Sequence, residues 1–277
     1  MIVSVASGKG GTGKTLVATS ITASVKGAQL LDCDVEEPNA FLFFPEMKLL
    51  DRKECTVPVP QIDEKLCVHC GRCAEVCAFN AIAVIPTRAV VFPELCHGCG
   101  ACMISCPEKA ISEVLRRIGW ISRARSEDHE IVWGELEPGE ARPTPLIRDV
   151  RRHANADTVI VDCPPGASCS VVESVRDTDF CLLVAEPTPF GLYDLDLALK
   201  LLERLSIPRG VLVNKSGIGT REIYSYLEKR DVPVLMEIPM SREIAELYSR
   251  GVIFVNMLGE WRERFTNLAE RIREMSE

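Results

Sequence analysis

The stretch Gly8-Lys9-Gly10-Gly11-Thr12-Gly13-Lys14-Thr15 constrains this chain more than any other. It follows the β-branched run Ile2-Val3-Ser4-Val5-Ala6 and leads into a segment that reads as a helix over residues 14 to about 25. Strand, glycine-rich loop and helix in that order build a phosphate-binding P-loop. Gly8, Gly10, Gly11 and Gly13 let the backbone curl against phosphates with no Cβ in the way. The freed N–H groups and the helix N-terminus present positive potential to an anion. Lys14 is then placed to reach the β- and γ-phosphates, and the Thr15 hydroxyl to ligate Mg²⁺.

Further along, strands and helices alternate. Residues 28–34 read as a second strand ending in Asp32-Cys33-Asp34, whose acids could also simply cap a turn. Residues 157–162 form a buried strand ending in Asp162, followed by Cys163-Pro164-Pro165-Gly166. Residues 180–185, 210–215 and 232–238 are three more strands, with helices expected at 192–205 and 221–229. This alternation predicts an α/β fold, a mostly parallel sheet with helices on both faces. Two regions break the pattern. Residues 45–60 read as irregular, with Pro58 and Pro60 marking a boundary. Residues 114–124 and 130–136 read as short strands of a hairpin extension, ahead of a helix reaching Arg151.

Between these lies a repeat. Cys67, Cys70, Cys73 and Cys77 have the spacing C-x2-C-x2-C-x3-C, and Cys96, Cys99, Cys102 and Cys106 repeat it at a constant shift of 29 positions. Ala81-Ile82 recurs as Ala110-Ile111 at the same shift, so more than the cysteines is repeated. The segment resembles the bacterial two-cluster ferredoxins, in which each run gives three thiolates to one cuboidal cluster and its fourth to the other. On that pattern Cys67, Cys70, Cys73 and Cys106 hold one 4Fe–4S cluster, and Cys96, Cys99, Cys102 and Cys77 hold the second. Zinc is the competing metal, but it favours paired C-x2-C units with longer spacers. Pro107 follows the second run, whereas Ala78 stands at the matching place in the first. His69 and His97 read as polar neighbours of the clusters, since the cysteine count is already complete.

Lys9, just after the first glycine of the loop, narrows the P-loop further. The motif resembles the deviant-Walker ATPases, the group of MinD, ParA, the Mrp-type iron–sulfur ATPases and the nitrogenase iron protein. The resemblance implies a nucleotide-dependent homodimer in which Lys9 crosses to the partner's ATP. It also implies that Asp34 lies in switch I and positions the attacking water, and that Asp162 reaches Mg²⁺. By the same resemblance the Gly166 amide senses the γ-phosphate, Asn214 touches adenine, and Pro239 opens a second base-side segment. The expected organisation is a P-loop ATPase domain at residues 1–57 and 113–277, with a small α+β ferredoxin-like domain inserted at 58–112. Because the insertion follows Asp34, the clusters are expected near the nucleotide end of the sheet. Cys169 lies seven residues after Asp162, the offset of a cluster cysteine in the nitrogenase iron protein. Residues 119–157 contain no cysteine to act as the second such ligand, so a dimer-bridging cluster stays a minor alternative.

The totals exclude several classes. A net charge of −8 argues against a nucleic-acid partner, which needs a basic face. No apolar run approaches the length of a membrane span. The apolar stripe Trp261, Phe265, Leu268, Ile272 and Met275 has a mixed-charge polar face, which favours packing on the domain over membrane binding. Thirteen cysteines beside a P-loop point to metal in a reducing, cytoplasmic setting. The function expected is an ATP-hydrolysing iron–sulfur protein that couples nucleotide state to electron transfer, with a redox partner. An iron–sulfur or metal-cofactor assembly ATPase serving an apo-acceptor is the alternative, and a MinD- or ParA-like spatial organiser a third.

Overall fold

Apolar runs that only a doubly covered sheet can bury become its central strands in the computed structural model, which describes residues 1–276. In chain order the elements are β1 (Ile2–Ala6), α1 (Lys14–Ser24), β2 (Gln29–Asp32), β3 (Lys48–Ile62), α2 (Arg72–Glu75), β4 (Ile82–Ile85), β5 (Arg88–Val91), α3 (Ala101–Ser105), β6 (Ile111–Ser126), β7 (His129–Leu136) and α4 (Thr144–Arg151). They continue with β8 (Val159–Asp162), α5 (Cys169–Val175), β9 (Phe180–Ala185), α6 (Pro189–Arg204), β10 (Arg209–Ser216), α7 (Glu222–Lys229), β11 (Val234–Pro239), α8 (Arg242–Ser249) and α9 (Gly259–Ser276). The main sheet has the order β11-β10-β9-β1-β8-β2-β7-β6-β3. Neighbours from β11 to β7 pair in parallel, and β6 runs antiparallel to both β7 and β3.

Side chains alternate between the two faces, as strand geometry demands. Leu30, Ile160, Leu182 and Leu212 pack towards α1, α8 and α9, while Leu31, Val161, Leu183 and Val213 pack towards α4, α5, α6 and α7. Helix α6 starts at Pro189, earlier than the apolar periodicity suggests, because Thr188 caps it by accepting from the Gly191 amide at 3.0 Å. Most of the C-terminal stripe is core: Trp261, Phe265, Leu268 and Ile272 are buried, Met275 is exposed, and Thr266 donates to the Ser24 carbonyl of α1. Among the described residues no helix is long and apolar enough to cross a membrane.

The stretch 45–60 corrects the expectation of an irregular segment. Residues 48–62 form one long strand, with Pro58 and Pro60 inside it. Proline lacks the N–H a central strand needs, but β3 is the edge of the sheet, so the missing donors face no partner strand. Its mate β6 is also longer than the short strand expected, because the two pair from Lys48↔Arg125 to Ile62↔Ile111. Gly119↔Leu136 is the last pair between β6 and β7, so beyond it β3 and β6 continue as a free two-stranded ribbon. At that exit Arg117 binds Glu54 at 3.1 Å and Glu137 at 2.7 Å, and Arg116 binds the buried Glu140.

The ribbon points in a defined direction. Asp32 is level with Trp133, Trp133 with Ser122, and Ser122 with Arg52. From Ser122 back to Ile111 the ribbon therefore runs roughly 35 Å past the carboxyl end of β2, and from Gly119 about 27 Å past that of β7. All the cysteines of the two runs hang from its tip, with β4 and β5 forming a separate hairpin there. They lie beyond the end of the sheet that carries the P-loop, at the far tip of the ribbon and not against the P-loop itself.

Candidate functional site

The P-loop leaves the carboxyl end of β1 and folds over the start of α1. Gly8 packs so closely that a Cβ would run into the Asp194 backbone of α6. Gly13 has φ +96° and a Cβ there would meet the Asn214 amide, so both positions require glycine. Asn214 Nδ2 donates to the Thr12 carbonyl at 2.7 Å, and its Oδ1 accepts from the Lys215 amide at 2.8 Å. One amide proton and one lone pair of Asn214 remain for a ligand. Gly11, Gly13, Asn214 and Pro239 share an open cleft of about 260 Å³ with Met240, Ile244 and Tyr248. Its mixed apolar and polar lining suits a nucleobase. Tyr248 closes one side, stacked on Phe43 with ring centroids 4.8 Å apart.

Asp34 and Asp162 both feel the charge of the buried Lys14, and Asp32 lies beside them. Asp32 is fully enclosed and accepts from the amides of Asp34, Asn39 and Ala40, each at 3.0 Å. It thereby ties down the loop that carries Asp34. Burial pushes the Asp32 carboxyl up to about 7 despite those amides, and burial likewise raises Asp34 to about 6 against the pull of Lys14. Asp162 is raised well above the carboxylate range by burial and by the neighbouring Asp32. Both of its oxygens are buried without a hydrogen-bond partner, and so is the Thr12 hydroxyl. Unpartnered buried carboxylate oxygens beside Thr15 fit a hard divalent cation such as Mg²⁺. The Gly166 amide, at φ +95°, donates to the Ser7 carbonyl at 3.0 Å, so contact with a phosphate requires that bond to open.

These shifts fix a sign. A carboxyl whose folded pKa lies above its unfolded value near 3.9 contributes stability that is full at low pH and lost as pH rises through the folded pKa. Asp162→Asn removes that loss. Without ligand, the variant is expected to melt a few degrees above wild type at neutral and higher pH, with the gap closing as pH falls towards the unfolded carboxyl value of about 3.9. Scanning calorimetry checks this, and a gap independent of pH contradicts the assignment of Asp162 as a cation-seeking buried acid.

Lys9 does not extend into solvent here. Its Nζ sits 2.9 Å from Glu186, which also binds Lys215. No local pattern marks this triad, whereas the turn-capping alternative for the acids after β2 describes Asp32, which anchors the Asp34 loop through three amides. An acid directly after a buried strand, Phe180–Ala185 then Glu186, was the only available signal.

At the ribbon tip the eight repeat cysteines sort into two cavities. Cys67, Cys70, Cys73 and Cys106 line one, with Ile62, Ala110 and Ile111. Cys77, Cys96, Cys99 and Cys102 line the other, with Pro60, Ala81 and Ile82. Each cavity takes three thiols from one run and one from the other. The repeated Ala-Ile pairs exchange in the same way. Cys77, Cys96 and Cys106 sulfurs accept from the amides of Ala81, Gly98 and Ala110 at 3.2–3.4 Å, the arrangement that stabilises ligating thiolates. Among the described residues no three Cys, His, Asp or Glu side chains converge on a single ion. Four thiols ringed around a shared space instead fit a polynuclear iron–sulfur group. His97 is stacked on Phe79 at 3.6 Å and lines the second cavity, while His69 lines the first. Cys33, Cys55, Cys163 and Cys181 are buried elsewhere, and Cys169 is exposed at the start of α5.

Comparison with known proteins agrees with this fold. Residues 3–254 match the family described as the CobQ/CobB/MinD/ParA nucleotide binding domain. The uncharacterized protein MJ0579 of Methanocaldococcus jannaschii is 30% identical, over 96% of this chain and 97% of that protein. An iron–sulfur cluster carrier protein of Pyrococcus abyssi is 24% identical, over 91% of this chain and 78% of the carrier. Among solved structures, the septum site-determining protein MinD of Pyrococcus horikoshii, complexed with Mg-ADP, superposes with a TM-score of 0.59 at 18% identity, covering 98% of this chain and 95% of that one.

Proposed function

Since the chain belongs to the CobQ/CobB/MinD/ParA nucleotide-binding family, we propose that it binds and hydrolyses ATP and couples nucleotide state to electron transfer through two 4Fe–4S clusters. The observation that carries this is the β3–β6 ribbon. It is a strand pair of the nucleotide-binding sheet at one end and the support of both four-thiol cavities at the other.

In this reading the P-loop amides and Lys14 hold the β- and γ-phosphates, and Asn214 and Pro239 flank the base. Thr15 and Asp162 hold Mg²⁺, which when bound neutralises charge on the transferring phosphoryl group. Asp34, kept in place by Asp32, orients the attacking water. Residues 58–112 act as the ferredoxin-like insert. Cys67, Cys70, Cys73 and Cys106 hold one cluster and Cys96, Cys99, Cys102 and Cys77 the other, each a one-electron centre when bound. ATP brings two copies together through Lys9, and a separate redox protein exchanges electrons with the exposed tip.

Coupling has a physical route. Loop 137–143 follows β7, grips the ribbon through Glu140 and Arg116, and leads into α4. Helix α4 is tied by Arg148–Glu173, at 2.9 Å, to α5, which follows the Asp162–Gly166 turn. A change at that turn can therefore reach the ribbon. The test is anaerobic reoxidation of the reduced clusters, timed with Mg·ATP and with Mg·ADP. A nucleotide-dependent rate with iron retained supports the proposal. A second reading, an iron–sulfur carrier, is favoured by the likeness to the Pyrococcus abyssi carrier. Iron leaving for an apo-acceptor during turnover supports that reading instead.

A further inference from the structure

Two lysines share one buried carboxylate beside the P-loop. The Glu186 side chain is 9% exposed; Lys9 Nζ lies 2.9 Å from its Oε2, and Lys215 Nζ binds its Oε1. Lys215 also donates to the Gly11 carbonyl at 3.1 Å, so it belongs to the loop's own framework. Lys9 is about as exposed as Lys215, 33% against 34%, but among the described residues its ammonium is held by Glu186 alone. Burial works against the Glu186 charge, yet Lys215 and Lys9 together hold its carboxyl below the usual range.

We propose that Glu186 is the resting seat of Lys9, a positioning residue that keeps this lysine within its own chain until a second nucleotide-loaded copy draws it across. The inference rests on the ATP-dependent dimer proposed above. Its physical logic lies in the second lysine. A buried carboxylate stripped of its only cation is costly, and that cost would lock Lys9 in place. Lys215 stays behind when Lys9 leaves, so Glu186 never stands alone. A partly exposed ion pair of this kind is weak enough to exchange. The arrangement therefore has two states of similar energy, which a phosphate on a facing copy can tip.

Opposite effects of two substitutions test it. Glu186→Gln keeps the shape and removes the charge, leaving Lys9 unheld beside a like-charged Lys215. Lys215→Met leaves Lys9 as the sole partner of Glu186. The full chain, anaerobically loaded with its metal, is titrated with Mg²⁺ and a non-hydrolysable ATP analogue, and its mass is followed by light scattering. Analogue affinity of each variant is measured in a Lys9→Ala background, where no dimer is expected, and subtracted. The analogue concentration at half-dimerisation is expected to fall about three- to tenfold in Glu186→Gln and to rise about as much in Lys215→Met. The double variant is expected to match Glu186→Gln, because the cost of removing Lys215 exists only while the charge on Glu186 does.

A residue that merely shapes the P-loop moves both single variants in the same direction, and that result overturns the proposal. So does an unchanged Glu186→Gln midpoint alongside a wild-type dimer that needs Lys9, which leaves the dimer reading intact. A wild-type chain that stays monomeric at saturating analogue removes the dimer reading and the seat with it.

Discussion

Replacing Lys14 with alanine is expected to lower ATP turnover by at least about a hundredfold, and nearer a thousandfold, with loss of tight ATP binding. Lys14 is buried at the start of α1, and its charge acts on both Asp34 and Asp162. Phosphoryl transfer asks little covalent chemistry of a protein and much charge compensation. Removing this ammonium leaves incoming phosphates to face Asp34 and Asp162 without it. Lys9→Ala gives the contrast. Its side chain lies on Glu186, so if turnover requires a second copy as proposed, one chain is expected to keep ATP binding and to lose turnover. Phosphate release and binding of a fluorescent ATP analogue separate the two variants. A Lys14→Ala chain retaining a tenth or more of its activity is incompatible with the assignment of this loop.

The second large effect concerns iron. If each cavity holds a 4Fe–4S cluster, Cys67→Ser and Cys77→Ser are each expected to reduce bound iron from about eight to about four per chain. The two cysteines belong to the same run but line different cavities. The double variant is therefore expected to lose both clusters. Were each run to serve one cluster by itself, the double variant would keep the four irons of the second run, and the cross-motif assignment would fail. Cys181→Ser, in a buried central strand, is the control expected to leave iron unchanged.

The parallel sheet was readable because its strands are continuous apolar runs ending in glycine or acid, from Ile2 to Ala6 and from Val159 to Asp162. The sorting of the thiols between the two cavities follows the cross-motif pattern that the resemblance to two-cluster ferredoxins implied, whereas the constant shift of 29 positions marks the repeat and not the exchange of its fourth member. The long ribbon was not. Pro58 and Pro60 signal a break in a local reading, and only the sheet order shows that β3 is an edge where proline costs nothing. Nor was Glu186. Its partners are Lys9, 177 positions away, and Lys215, 29 positions on, so no local pattern marks it. Charged triads of this kind are set by where strand ends converge, which periodicity does not encode. The unpartnered oxygens of Asp162 belong to the same class, since an acid after a buried strand is legible and its lack of partners is not.

The claim at the centre of this account is that the two ends of the ribbon work as one unit. The most direct measurement takes the anaerobically reconstituted chain and records the reduced-cluster EPR spectrum together with steady-state ATPase, with and without Mg·ATP. The account predicts that nucleotide changes the spectrum or the reduction rate, and that reducing the clusters changes ATP turnover. Spectra and rates indifferent to nucleotide, with turnover indifferent to reduction, would show two independent functions on one chain and contradict it.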